Sequence, residues 1–218
     1  MSNLTDFLTQ DYAAHFGMVW NPATMTLRME TPASVCFEIE DKKPTIVQPA
    51  GSGVSVVRRT ADAVEVIDVE DFMKLIHGAD NTPSSCDFAI SPSVGSDFLV
   101  LNELTRAKSE YIRRFQQPKT GVEQEGKLET ARRQLTETIN RFYEVSNFCD
   151  QYAEKTALFS CRLSDKQSNG IMARSAKKFS KSISKLQKMQ LHDQLPHGFV
   201  FKMRVYNAEY RLKVGSVN

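Results

Sequence analysis

The stretch Cys86–Thr105, CDFAISPSVGSDFLVLNELT, contains two apolar runs separated by a turn-forming segment. Short apolar runs bounded by Ser, Pro, Gly and Asn are typical of β-strands joined by a turn. The second run begins with Phe98–Leu101, which is continuously apolar rather than alternating. Because such strands are covered on both faces, this stretch predicts the centre of a sheet that other layers cover.

Two acidic residues stand at the ends of these predicted strands, with Asp87 at the start of the first and Glu103 at the end of the second. Carboxylates at neighbouring strand ends can hold one hard cation, and Mg²⁺ accepts one or two carboxylates beside water and substrate phosphate. Asp87 alone is also typical of a turn, and Glu103 alone of the first turn of a following helix. Their occurrence at successive strand ends favours a metal site for Mg²⁺ or Mn²⁺.

The clearest helix is predicted downstream, over 127–148, where apolar residues recur every three or four positions. That spacing also places Lys127, Ala131, Gln134 and Thr138 on one face of the helix. Gln134 is therefore expected either beside the acidic pair, where it would position substrate or water, or on a solvated flank of the helix.

Periodicity predicts the remaining elements on both sides. Upstream they are a helix over 4–16 and strands over 25–29, 35–39, 54–59 and 64–69, followed by a helix over 68–76 that Gly78 ends. Downstream they are a charged helix over 107–115, a loop over 116–126, a buried strand over 156–161, and an antiparallel strand pair over 198–214 that turns at Asn207.

The order of these elements from 64 to 163 resembles the core of the PD-(D/E)xK nuclease superfamily, an α-β-β-β-α-β unit. The resemblance implies an α/β (α+β) fold, with a central mixed β-sheet flanked by helices and a restriction-endonuclease-like core. The length of the chain predicts one domain over 1–218. Around the core, 1–63 adds a helix and strands, and 164–218 adds a basic helical segment and C-terminal strands. Asp87 and Glu103 match the acidic motif residues that would hold Mg²⁺ or Mn²⁺.

The function implied by the resemblance is metal-dependent hydrolysis of phosphodiester bonds by an endonuclease, in prokaryotic defence against foreign DNA. One residue departs from the family pattern, because Thr105 stands where the family has a lysine that orients the attacking water. Either the activity is lost, or another lysine replaces it. Lys127 is the first candidate for that role and Lys108 the weaker one.

The upstream acidic residues Asp68 and Glu70 are open to two interpretations. Many members of the family take a further acidic ligand from a preceding helix. The alternative is that Asp68 caps the helix over 68–76 and Glu70 interacts with its dipole.

A basic run without acidic residues extends from 174 to 188. It either contacts a phosphate backbone or forms a solvated helix face, and the absence of acids favours phosphate. The candidate nucleic-acid-binding residues are Arg174, Lys177, Lys178, Lys181, Lys185 and Lys188.

The composition of the 218 residues limits the partners that we expect. A net charge of +2 excludes a global polycation, so nucleic acid must bind to a local patch. The four cysteines and four histidines lack metal-ligand spacing, and the cysteines are expected in the core. No signal peptide or long apolar stretch is recognisable, so a cytoplasmic protein without membrane contact is expected.

The expected partners are nucleic acid, DNA rather than RNA, and a second copy of the chain or the proteins of a defence complex. Two alternatives to an active nuclease stay open. One is a catalytically silent subunit that keeps the nuclease fold and binds nucleic acid or protein partners. The other is an interaction protein without nuclease ancestry.

Overall fold

The computed structural model describes residues 3–41, 43–49, 51, 53–59, 63–117, 120–163, 193–206 and 212–214. The strands are β1 (Met29–Glu30), β2 (Cys36–Ile39), β3 (Val47–Gln48), β4 (Ser55–Arg59), β5 (Val64–Asp68), β6 (Phe88–Pro92), β7 (Phe98–Ala107), β8 (Phe115–Gln116), β9 (Glu123–Gln124), β10 (Glu154–Leu163), β11 (Val200–Tyr206) and β12 (Leu212–Val214). The helices are α1 (Leu4–Asp6), α2 (Ala13–His15), α3 (Val69–His77) and α4 (Lys127–Val145), with a π-helical turn, Phe7–Tyr12, between α1 and α2.

A mixed sheet of six strands forms the centre of the fold, in the order β1-β5-β6-β7-β10-β11. β5, β6 and β7 pair antiparallel, whereas β7, β10 and β11 pair parallel. A parallel pair needs a crossover connection, and α4 lies in the connection from β7 to β10. The mixed α+β architecture with a central mixed sheet is confirmed.

Different layers cover the two faces of this sheet. On one face, Leu135 and Phe142 of α4 pack with the N-terminal helices and with Leu101 and Phe159 of the sheet. On the other face lies a second sheet in the order β12-β4-β2-β3, whose Phe37 joins the apolar core there. The continuous apolar character of Phe98–Leu101 follows from this double burial.

Strand β7 is longer than predicted, and the prediction of a helix over 107–115 is wrong. β7 continues to Ala107 because its ladder with β10 extends to the pair Ala107 and Leu163. A 3-10 turn, Ser109–Tyr111, and the short hairpin of β8 and β9 follow instead. Pairing and burial of the main chain outweigh the helical propensity of a charged segment. Glu103 therefore lies inside a strand, not at its end.

The predicted antiparallel pairing of two strands within 198–214 is also wrong. β11 pairs parallel with β10 in the central sheet, whereas β12 pairs parallel with β4 in the second sheet. Alternating side chains predict a strand but not its partner. The predicted turn at Asn207 lies outside the described residues.

The strand predicted over 25–29 is mostly wrong, because β1 contains only Met29 and Glu30. Met25 and Leu27 pack against the core from irregular backbone, so their alternation reflects burial without strand pairing. Cys86, Cys149 and Cys161 are buried, as expected, whereas Cys36 is only half-buried. No helix in the described ranges is both long and apolar enough to cross a membrane.

Candidate metal and nucleic-acid site

The antiparallel register of β6 and β7 places Asp87 opposite Glu103. Phe88 pairs with Asn102 and Ala89 with Leu101, so the next position brings the two acids together. Residues directly opposite in such a pair point to the same face, with Cβ atoms about 4.5–5.5 Å apart. That face is the one that α4 covers, because Ala89 and Leu101 share its core.

Main-chain N–H groups fix the orientation of both carboxyl groups. The N–H of Leu104 donates to Oδ2 of Asp87 at 2.6 Å. The N–H of Asp87 donates to the carboxyl group of Glu103. Each acid is therefore held by the main chain beside the other, which aligns the pair with no side-chain donor among the residues that the structure describes.

Burial raises the pKa of Glu103, and the neighbouring Asp87 carboxylate raises it further. Burial also raises the pKa of Asp87, against the lowering effect of the Leu104 N–H. The charged groups with the largest influence on the pKa of Asp87 are the carboxylates of Asp41, Glu70 and Asp68. A pair in this environment retains a proton at neutral pH unless a cation replaces it.

The residues present fit a hard divalent cation. Glu103 is only 8% exposed, and its Oε2 is buried without a hydrogen-bond partner in the described part of the chain. No group of three or more His, Cys, Asp and Glu side chains among the described residues forms a metal cage. A two-carboxylate site whose other ligands come from water and phosphate is the mode that Mg²⁺ prefers.

Helix α4 holds the segment that leads into Asp87. Oγ1 of the buried Thr138 accepts the N–H of Cys86 at 2.8 Å. Nε2 of Gln134 donates to the carbonyl of Ser85 at 3.1 Å. Gln134 is thus bound to the main chain two residues before Asp87.

Thr105 lies two residues beyond Glu103 in β7, on the same face, and is half-buried. Lys127 is the exposed first residue of α4. It lines an open cavity at the end of β7, together with Arg106 and Lys108. The expectation that the Lys127 ammonium enters the acidic site stays a prediction.

The interpretation of Asp68 as a helix cap is confirmed. Its Oδ1 accepts the N–H of Asp71 at 2.9 Å, and its Oδ2 pairs with Arg28 at 2.8 Å. Glu70 pairs with Lys74 one helical turn away, at 2.7 Å. Both acids nevertheless raise the pKa of Asp87.

Sequence reasoning missed two arginine–glutamate pairs on the opposite face of the sheet. Nε of Arg106 donates to Oε1 of Glu40 at 3.0 Å. Arg162, which is the register neighbour of Arg106, lies 3.9 Å from Glu38 and donates to the carbonyl of Gly51 at 2.8 Å. The signal in the sequence was the occurrence of Glu38 and Glu40 beside an otherwise apolar strand.

The basic residues Arg174, Lys177, Lys178, Lys181, Lys185 and Lys188 lie outside the described residues. Comparison of the chain with protein-family models, with curated proteins and with solved structures gives no match. The chemistry of the site therefore rests on its own residues.

Proposed function

We propose that this protein is a metal-dependent endonuclease that hydrolyses phosphodiester bonds, with DNA as its expected substrate. The observation that carries the proposal is the pair of acids formed by the half-buried Asp87 and the buried Glu103, which lie opposite each other on one face of the sheet. No Lys or Arg among the described residues forms an ion pair with either of them. The order of β5, β6, β7, α4 and β10, with two antiparallel pairs followed by a parallel pair, also supports the resemblance to the PD-(D/E)xK core.

In this proposal Asp87 and Glu103 hold Mg²⁺ or Mn²⁺, which when bound would activate water and stabilise charge on the phosphate. The N–H groups of Leu104 and Asp87 keep the two carboxyl groups aligned. Thr105 would donate a hydrogen bond to a substrate oxygen. Lys127 would supply the positive charge that Thr105 lacks, and Gln134 holds the main chain before Asp87 in position.

A catalytically silent subunit is the second candidate function. Thr105 in place of a lysine favours it, and so does the exposed position of Lys127. Such a subunit would bind nucleic acid or assemble with protein partners. Either form fits a role in prokaryotic defence against foreign DNA, which rests on fold-level analogy.

The first test is cleavage of plasmid DNA, single-stranded DNA and RNA with Mg²⁺ or Mn²⁺. We expect Asp87→Asn and Glu103→Gln to lower the cleavage rate by about a hundredfold or more, the scale of losing several kcal/mol of metal-based stabilisation. Asp97→Asn is the matched control, because Asp97 is exposed in the turn between β6 and β7. Cleavage that persists in Asp87→Asn would contradict the proposed site.

The lysine variants separate the two candidate functions. In an active enzyme, Lys127→Ala should abolish cleavage without unfolding the protein, because Lys127 is exposed. If the wild type cleaves none of the substrates and Thr105→Lys gains activity, the protein is the silent subunit. If Lys127→Ala cleaves normally, Lys127 does not replace the missing lysine.

A further inference from the structure

An open cavity of about 440 Å³ lies where β7 ends and α4 begins. Its size falls within the range of about 300–1,000 Å³ that is usual for small-ligand sites. A Cβ at Gly126, the N-cap of α4, would overlap the main chain of Arg113, and the N–H of Leu128 donates to the carbonyl of Ile112 at 2.9 Å. The start of α4 is thus packed tightly against the loop that forms one wall.

Positive charge dominates this cavity. Lys108 and Lys127 line it, are exposed, and have no ion-pair partner among the residues that the structure describes. The acidic lining residue, Glu125, lies 3.6 Å from Arg133. No side chain in the described part of the chain caps the N-terminus of α4, whose dipole adds further positive potential. The two lysines and the helix end together favour an anionic group such as phosphate.

Two aromatic rings form another part of the lining. Tyr111 and Phe115 are half-exposed and meet edge to face, with ring centroids 4.7 Å apart. An accessible aromatic face can stack on a nucleobase, and this interaction tolerates any base because every base has a π-face. The cavity therefore combines a phosphate-binding side with a base-binding side.

The cavity reaches the face of β7 that carries the acidic pair, although Arg106, on the opposite face, also lines it. Ala107 lines the cavity and shares its face with Glu103, four residues earlier in the strand. At the rise of a β-strand this separation is about 13 Å. A nucleic-acid strand whose phosphate reaches Glu103 can therefore extend into the cavity.

We propose that this cavity binds one unpaired nucleotide of a single-stranded nucleic acid. Lys108 contacts its phosphate, and its base stacks on Tyr111 or Phe115. This inference rests on the proposed function, since it names the substrate class for the same site. A duplex keeps its bases stacked on each other, so it cannot offer a base face to the cavity and binds more weakly.

The test measures fluorescence anisotropy of a labelled single-stranded oligonucleotide and of its duplex, in EDTA so that no metal-dependent cleavage occurs. We expect Tyr111→Ala to weaken single-strand binding about tenfold, the scale of losing one base–aromatic stack, and to leave duplex binding unchanged. Tyr111→Phe keeps the ring and should bind as the wild type does. Lys108→Ala should reduce the salt dependence of binding to both probes.

Lys108→Glu keeps the test decisive if Tyr111→Ala fails to fold, because Lys108 is exposed and a reversed charge there should weaken binding further. Lys74→Ala, in α3, is the control for loss of a surface lysine. Unchanged binding in the Tyr111 and Lys108 variants would overturn the inference. The expected binding pattern without any cleavage would refute the proposed enzyme activity but support nucleotide binding in the cavity. Cleavage that depends on Asp87, together with unchanged binding in the Tyr111 and Lys108 variants, would support the enzyme and refute nucleotide binding in the cavity.

Discussion

The two faces of the central sheet hold acidic side chains in opposite ways. Toward the second sheet, Glu40 pairs with Arg106, and Glu38 lies near Arg162. Toward α4, Asp87 and Glu103 face each other, and other carboxylates dominate the electrostatic influences on Asp87. The chain supplies cations to the acids that join its two sheets. It supplies none, within the described residues, to the pair that we propose binds a metal.

The difference between the faces has an energetic meaning. A buried carboxylate with an arginine partner is compensated by charge and hydrogen bonds, whereas two carboxylates side by side repel and retain a proton. Acids whose pKa is strongly perturbed by burial and by a like charge are concentrated at functional sites. The α4 face of β6 and β7 is where this protein has that arrangement.

The largest stability effect is expected for Glu103→Gln. Burial and Asp87 raise the pKa of Glu103, so the folded protein keeps a proton that the unfolded chain has lost, and stability falls as pH rises above the unfolded pKa. Removing this carboxyl should raise the free energy of unfolding by about 1–3 kcal/mol at about pH 8 without metal. Urea unfolding in EDTA measures it.

The pH dependence sharpens this prediction. The gain in the free energy of unfolding from Glu103→Gln should shrink as pH falls toward the unfolded-state pKa of Glu103. Both the folded and the unfolded wild type then carry the proton. Glu137→Gln, on the exposed side of α4, is the control. A variant less stable than the wild type at about pH 8 would mean that Glu103 is compensated as Glu38 and Glu40 are.

A loss of about 1–2 kcal/mol is expected for Arg162→Ala, on the paired face. This change removes a donor to the carbonyls of Gly51 and Gly53 and leaves the buried Glu38 without its nearby cation. Arg141→Ala breaks an exposed pair with Glu144 and should change stability by less than about 0.5 kcal/mol. Equal effects of the two changes in thermal or urea unfolding would contradict the structural role of Arg162.

A smaller loss than for Arg162→Ala, about 1 kcal/mol, is expected for Thr138→Val. Its Oγ1 accepts the buried N–H of Cys86, next to Asp87. Valine fills the same space without accepting that bond, so stability and Mn²⁺ affinity should both decrease. Thr130→Val, at the half-buried start of the same helix, controls for the change of residue type. Lower stability with unchanged Mn²⁺ affinity would show that α4 does not position the acidic pair.

Much of the fold could be predicted because periodicity is a local property. The apolar spacing predicted α4 and α3, and continuous apolar runs predicted β7 and β10. The partners of β11 and β12 could not be predicted, because they join segments far apart in the chain. The end of β7 was also missed, since pairing with β10 extends it past Thr105 to Ala107.

The candidate site could likewise be predicted only in part. Asp87 and Glu103 could be expected to meet because consecutive strands joined by a short turn usually pair. The pair Arg106 and Glu40 could not, since 66 residues separate them. The cavity beside Lys127 was missed because it forms from the 3-10 turn and the β8–β9 hairpin, which replace the predicted helix and loop.

Mn²⁺ binding tests the central claim most directly, by electron paramagnetic resonance of the free ion during titration of the protein. The wild type should bind Mn²⁺ at Asp87 and Glu103, more tightly at about pH 8 than at about pH 6, because the ion must displace a proton. Asp87→Asn and Glu103→Gln should each lose this binding, while Asp97→Asn keeps it. A wild type that binds no Mn²⁺, or variants that bind it equally well, would contradict the account.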